Sequence, residues 1–190
     1  MTDITLDVDV LMFGCDSAAQ ESATCFLLMH ELASKNGVSL VVDDADDIIN
    51  EYSRKLKNDD YGQWWLRSIS GSGKFRKVPR ARMSKRARIK LLDELHFDRH
   101  DLNRYVRTAA SSESRVLVSL DDDYPGQVVA AIRDYFDVSV KPPAGGHAHV
   151  CGCPLAQCLS SLPYRGLTRR AAPIPTHTVG RRGVTRFKSK

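Results

Sequence analysis

Short apolar runs alternate with amphipathic stretches over roughly the first 140 residues of the chain. The runs at 4–13, 38–42, 116–120 and 137–140 are rich in β-branched residues and typical of strands buried in a parallel sheet. Between them, apolar residues recur at helical spacing. The pattern therefore predicts an α/β fold, a three-layer α/β/α sandwich around a central parallel sheet.

Carboxylates follow the predicted strands. Asp121, Asp122 and Asp123 come directly after the run at 116–120, at the edge where open α/β sheets bind ligands. Three adjacent like charges favour a cation between them. Asp7 and Asp9 share one face of the first predicted strand, and burying them is costly unless they are paired or bind a metal. The alternative, a backbone amide capped by one aspartate, explains only one of the two.

Two further acids have simpler interpretations from spacing alone. Glu51 lies one turn before Lys55 on a predicted helix, which favours an ordinary i,i+4 ion pair. Asp101 begins another helix, where a carboxylate usually caps the backbone. That helix leads directly into the strand at 116–120, so Asp101 can also face the same edge.

Charge is distributed unevenly. Residues 74–90 carry nine Lys or Arg and no acid, and residues 138–190 carry another nine. This predicts a polyanion-binding surface, against the alternative of solvated charges with no partner. The candidate nucleic-acid-binding residues are Lys74, Arg76, Lys77, Arg80, Arg82, Lys85, Arg86 and Arg88. Residues 58–73 read as a loop, so that 58–90 forms a basic insertion. Within it, Trp64 and Trp65 are predicted to anchor the loop rather than to stack on bases.

The cysteines and termini indicate a cytoplasmic protein. Five cysteines are an odd number, the start lacks a secretory signal, and no apolar run reaches the roughly 18 residues of a membrane span. Residues 141–190 are predicted to be a basic tail outside the domain at 1–140. The tail holds five N or S ligands in twelve residues, which suits Zn²⁺, although a disordered Pro-rich tail with incidental cysteines is the alternative. These ligands are His147, His149, Cys151, Cys153 and Cys158.

Four segments resemble the motifs of the PIN-domain nucleases. They are Leu6-Asp7-Val8-Asp9-Val10, Ile48-Ile49-Asn50-Glu51-Tyr52, Asp98-Arg99-His100-Asp101-Leu102 and Leu117-Val118-Ser119-Leu120-Asp121-Asp122-Asp123-Tyr124. The resemblance covers roughly residues 4–140. The long basic insertion and the tail depart from the family's pattern.

The resemblance implies a Mg²⁺- or Mn²⁺-dependent endoribonuclease that cuts single-stranded RNA and leaves a 5′-phosphate. It makes Asp7, Glu51, Asp101 and Asp121 the catalytic acids and raises Glu51 from ion pair to ligand. The metal ligands would come from Asp7, Asp9, Glu51, Asp98, Asp101, Asp121 and Asp123, and which aspartate of each cluster binds stays open. RNA is the expected partner, more than DNA. Self-association and an inhibitory, antitoxin-like protein partner both stay open.

Two rival functions fit parts of the sequence. Asp7-Val8-Asp9 also resembles the Asp-x-Asp of haloacid-dehalogenase-type phosphatases, in which the first aspartate is the nucleophile. No convincing lysine motif precedes the final acidic cluster, which speaks against that class. The second rival is a PIN-like module that binds nucleic acid without cutting it.

Overall fold

The computed structural model describes residues 2–16, 22–120 and 124–152, all within one compact unit spanning Met1–Ser160. Its centre is a five-stranded sheet in which every pairing is parallel and the order is β3-β2-β1-β4-β5. The strands are β1 (Thr2–Leu6), β2 (Val38–Asp43), β3 (Phe75–Val78), β4 (Val116–Val118) and β5 (Ser139–Lys141). The α/β fold with a parallel sheet is thereby confirmed.

Helices connect the strands and cover the sheet. They are α1 (Val8–Cys15), α2 (Ser22–Ser34), α3 (Asp47–Lys55), α4 (Asp60–Gly71), α5 (Lys85–Arg88), α6 (Arg99–Asp101), α7 (Arg107–Ala109), α8 (Gly126–Phe136) and α9 (Pro143–Cys151). Two π-helical segments, Ile89–Glu94 and Leu102–Val106, continue α5 and join α6 to α7. Helices α2 and α9 pack on each other, and α9 also contacts β1 and β4, whereas α7 contacts β1 and β2. This arrangement is consistent with three α/β/α layers.

The central strands are buried, and most of their buried side chains are apolar. Ile4, Leu6, Leu40, Val42 and Leu117 are all fully inaccessible to solvent, as expected for parallel strands covered by helices. None of the helices over the described residues has the length and apolar character needed to cross a bilayer.

The predicted first strand, at 4–13, continues well past the end of the observed strand β1. β1 ends at Leu6, and Val8–Cys15 is a helix rather than the continuation of the strand. Val8 and Leu11 are both buried in the core, and their spacing favours a helix. The β-branched composition of the same run favours a strand, so the sequence supports both elements. Asp7 and Asp9 consequently do not share a strand face. Asp7 lies between the two elements, and Asp9 lies in the first turn of α1.

The predicted loop at 58–73 is wrong. Residues Asp60–Gly71 form α4, which Asp59 caps by accepting a hydrogen bond from the Gly62 amide. The basic segment that follows does not begin as a flexible arm, because Phe75–Val78 forms β3 at the edge of the sheet and pairs with β2. Trp65 and Leu66 are buried on one side of α4 and belong to its apolar stripe. The loop-forming residues of this segment hide that helical pattern in the sequence.

The chain beyond residue 140 also continues the fold. The predicted boundary falls inside β5, and α9 then packs against α2, β1 and β4. Gly146 permits this approach, since a Cβ at that position would lie 2.5 Å from Cγ2 of Val118. The described part of the predicted tail, up to Gly152, is therefore a structural helix.

Other predicted elements are confirmed. β2 lies where the run at 38–42 predicts it, α2 ends before Gly37 with its positive φ of 76°, and α3 buries Ile48 and Tyr52. α8 begins at Gly126, directly after Pro125. Ser17, a residue type that suits the cap of a helix leading into α2, lies outside the described residues.

Candidate active site at the carboxyl edge of the sheet

The sheet reverses its order of connection between β1 and β4. The chain leaves β1 toward β2 and β3 on one side, then returns to β4 and β5 on the other. Open α/β sheets form a crevice at this junction, outside the carboxyl ends of the two strands. The Asp7 amide donates to the Val118 carbonyl over 2.8 Å and thereby joins the two strand ends.

Asp7 is the acid at this junction. It is only 3% exposed and occupies the position before α1 with extended backbone angles. An aspartate at that position usually accepts a hydrogen bond from the first turn of the helix, yet Asp7 makes no such cap. Its Oδ2 instead accepts a hydrogen bond from the Ser119 hydroxyl at 2.9 Å. The carboxylate is thus directed toward the end of β4.

Glu51 reaches the same region from α3. Its side chain is 13% exposed, and its Oε2 accepts hydrogen bonds from Nη1 of Arg104 at 2.7 Å and from the Tyr105 hydroxyl at 3.0 Å. Its ion-pair partners are Arg104 and, at 3.6 Å, Arg54 rather than Lys55. The simple i,i+4 pair that the spacing favours is therefore not the observed contact.

Two buried tyrosines link these acids. Burial raises the pKa of Tyr52, and the charges of Asp7, Glu51 and Asp43 raise it further. Burial, Tyr52, Asp7 and Glu51 likewise raise the pKa of Tyr105. Both phenols stay protonated and donate hydrogen bonds, Tyr52 to the Leu6 carbonyl and Tyr105 to Glu51. The charges of Asp7 and Glu51 thus both raise the pKa of each phenol.

Asp43 is a further buried acid at this edge. It is the last residue of β2, and its oxygens accept hydrogen bonds from the Asp47 and Ile48 amides and from Arg80. Burial alone would raise the pKa of Asp43, but those amides and the Arg80 guanidinium together hold it below its ordinary value. The sequence signal that could have identified Asp43 is its place directly after the apolar run at 38–42.

The remaining predicted ligands differ in their surroundings. Asp98 is exposed and caps α6, its Oδ1 accepting from the His100 and Asp101 amides. Asp101 is half-buried in the single turn of α6, and Asp9 is half-buried in α1. Asp121 and Asp123 lie outside the described residues.

The basic segment divides into two groups. Lys74, Arg76, Lys77 and Arg80 have partners within the fold. Lys74 donates to three carbonyls at the end of α2, and the other three pair with acids, Lys77 as an exposed residue at the surface. Arg76 reaches the buried Asp3, Lys77 reaches Asp46, and Arg80 reaches Asp43 and Asp47. The other four candidates are exposed, and no ion pair to the described part of the chain involves them. They are Arg82, Lys85, Arg86 and Arg88.

These four exposed residues follow β3, which runs parallel to β1 and β2. The segment carrying them therefore leaves the sheet at the carboxyl edge, the edge at which Asp7 lies. The Arg107 carbonyl holds its start by accepting from the Ala81 amide at 2.9 Å.

The two tryptophans have different surroundings. Trp65 is fully buried, and its indole donates to the Met29 carbonyl at 2.8 Å, which confirms the predicted anchor. Trp64 is 56% exposed and lies beside Tyr61, which in turn stacks on Phe26. Trp64 is thus part of an aromatic surface on α2 and α4.

Of the predicted zinc ligands, His147 and Cys151 lie together on α9, whereas His149 is not part of that cluster. Cys153 and Cys158 lie outside the described residues.

No protein-family model matches the chain, and no curated protein shows significant similarity to it.

Proposed function

We propose that the chain is a Mg²⁺- or Mn²⁺-dependent ribonuclease whose active site lies at the carboxyl edge between β1 and β4. The observation that carries this proposal is Asp7. It is a buried carboxylate that does not cap the helix it precedes and is directed to the neighbouring strand end. Burial of the Asp7 carboxylate costs free energy, and no helix cap offsets that cost. Buried acids of this kind are common at functional sites.

The donor set suits a hard divalent cation, because carboxylate oxygens are its preferred ligands. Asp7 and Glu51 would hold the ion, with Asp101, Asp121 and Asp123 as the sequence-based additions. When bound, such an ion polarises a phosphoryl oxygen and lowers the pKa of a coordinated water. Ser119 fixes the orientation of Asp7, and Arg104 with Tyr105 fixes that of Glu51.

A polyanionic substrate is favoured by the exposed basic residues that follow β3. Arg82, Lys85, Arg86 and Arg88 supply positive charge on the segment that leaves the sheet at this edge. Phosphate contacts from such residues position a nucleic acid without reading its sequence. Single-stranded RNA is the substrate that the resemblance to PIN-domain nucleases implies.

The decisive experiment measures cleavage of a fluorescent single-stranded RNA, with the DNA of the same sequence in parallel. Purified chain is assayed with Mg²⁺, with Mn²⁺ and with EDTA, and the products are analysed by mass spectrometry for a 5′-phosphate. We expect Asp7→Asn to lower kcat by roughly 10²–10³-fold, since the lost interaction is worth several kcal/mol in the transition state. Adding Asp121→Asn should reduce cleavage further.

Asp137→Asn is the matched control. It makes the same chemical change at an exposed residue paired with Arg115, in a left-handed conformation that asparagine tolerates. Equal cleavage by the Asp7→Asn variant and the unaltered chain would contradict the assignment. Two other outcomes favour the rivals: trapping by beryllium fluoride without RNA cleavage indicates a phosphatase, and EDTA-resistant RNA binding without cleavage under any metal indicates an inactive module.

A further inference from the structure

A second cluster of ligand-type side chains lies where α2 packs against α9. His147 and Cys151 are four residues apart on α9 and share one face of that helix, and Glu31 of α2 lies opposite them. One ligand atom from each residue lies within 4.8 Å of the others. Nε2 of His147 is 3.4 Å from Sγ of Cys151.

The histidine of this cluster is poorly satisfied as a purely structural residue. His147 is fully buried, and its Nδ1 has no hydrogen-bond partner in the described part of the chain. Its Nε2 contacts a thiol, which is a weak hydrogen-bond partner. Burial lowers the pKa of His147, and nearby Lys35 lowers it too, against the opposing charge of Glu31.

The distances suit a tetrahedral zinc ion. With Zn–N near 2.0 Å and Zn–S near 2.3 Å, two tetrahedral ligands lie about 3.5 Å apart, close to the observed 3.4 Å between Nε2 and Sγ. Glu31 is only half-buried and can close the remaining distance by rotating its side chain. One carboxylate and one thiolate together neutralise the charge of the ion.

We propose that Glu31, His147 and Cys151 bind Zn²⁺ and clamp α9 to α2. A water molecule completes the coordination. The zinc site is separate from the proposed nuclease site and does not depend on it. Glu31 lies near the end of α2, from which the chain enters β2 at its amino end, so the cluster lies toward the edge of the sheet opposite Asp7.

The test measures zinc content and affinity on the full chain. Protein purified without chelator is analysed by inductively coupled plasma mass spectrometry, and apoprotein is titrated with Zn²⁺ against a chromogenic chelator. We expect one zinc per chain at this site and a rise in the melting temperature on zinc addition, since a ligand that binds only the folded state stabilises it. Cobalt substitution should give a thiolate-to-cobalt charge-transfer band.

Two conservative variants test the ligands. Glu31→Gln and Cys151→Ser should each weaken zinc affinity at least about 100-fold, more than loss of a supporting residue usually does. Glu31→Gln is nearly isosteric on a half-buried side chain, so it keeps the test valid if Cys151→Ser folds poorly. Asp137→Asn, which removes an exposed carboxylate outside both proposed sites, is the control and should keep its zinc.

Unchanged zinc affinity in Glu31→Gln and Cys151→Ser would overturn the proposal. So would loss of zinc in a Cys153→Ser, Cys158→Ser double variant together with full affinity in Glu31→Gln, because the metal would then belong to the thiols beyond α9. Absence of zinc from the unaltered protein, with no binding on titration, would overturn it as well.

Discussion

The division of the basic segment into paired and exposed residues predicts how nucleic-acid binding depends on salt. Each phosphate contact to a single strand contributes a slope of about −0.7 to log K against log [salt]. If the four exposed residues Arg82, Lys85, Arg86 and Arg88 make the contacts, the slope is about −3. Affinity then falls about 50-fold between roughly 50 and 200 mM salt. If all eight candidates make contacts, the slope is close to −6.

Two double variants separate these cases. Arg86→Gln with Arg88→Gln removes two exposed charges and should make the slope shallower by about 1.4. Lys74→Gln with Lys77→Gln removes the same net charge from residues that are already occupied, by the carbonyls that end α2 and by Asp46. This second pair should leave the slope nearly unchanged.

The assay is fluorescence anisotropy of a labelled single-stranded oligonucleotide, measured in EDTA at several salt concentrations so that cleavage does not interfere. Circular dichroism checks that both variants are folded, because Lys74 stabilises the end of α2. The reasoning is refuted if the two double variants change the slope equally, or if the unaltered chain shows a slope near that expected for eight contacts.

Two further predictions concern stability. Gly146→Ala should lower the free energy of urea unfolding by about 1–3 kcal/mol, because its Cβ would lie 2.5 Å from the stiff Val118 side chain. Gly71→Ala is the control. Nothing lies within 4 Å of its new Cβ, so this variant should be neutral or slightly stabilising. Asp43→Asn should lower stability at pH 7 by about 1–3 kcal/mol, since it removes a charged acceptor from the Arg80 guanidinium. Because the folded pKa of Asp43 is lowered, its contribution is present above its ordinary pKa of 3.8 and lost as the pH falls through the folded value. The difference between variant and unaltered chain should therefore shrink on acidification, and a difference that is constant from pH 7 to pH 2.5 would contradict this.

The sheet was largely predictable because buried parallel strands leave a simple signal. The run at 38–42 has Ser39 as its one polar residue and a glycine before it, so both its type and its position follow from the sequence. The segment after Leu6 was not predictable in this way. Val8 and Val10 favour strands locally, and only the packing of α1 on α2, with Gly14 close to Met29, decides for a helix.

The candidate site was predictable at the level of residue type rather than of partners. The charges of Asp7 and Glu51 both raise the pKa of Tyr52 and Tyr105, and the grouping of the four predicted acids stays a prediction. The sequence could not show that Arg104 and Tyr105 hold Glu51, or that Arg80 is occupied by Asp43, because these contacts join residues 37 or more positions apart. Charge counting along the chain therefore overestimated the surface available to a polyanion.

The order of the strands has a consequence for the making of this protein. β1 is the first strand to leave the ribosome, yet it pairs with β4, which begins more than a hundred residues later at Val116. A nascent chain can assemble β1, β2 and β3 early, but Asp7 then lacks the neighbour that orients it. Under the proposed function, growing chains that end before Val116 should therefore be inactive on RNA, because Ser119, which orients Asp7, has not yet been added.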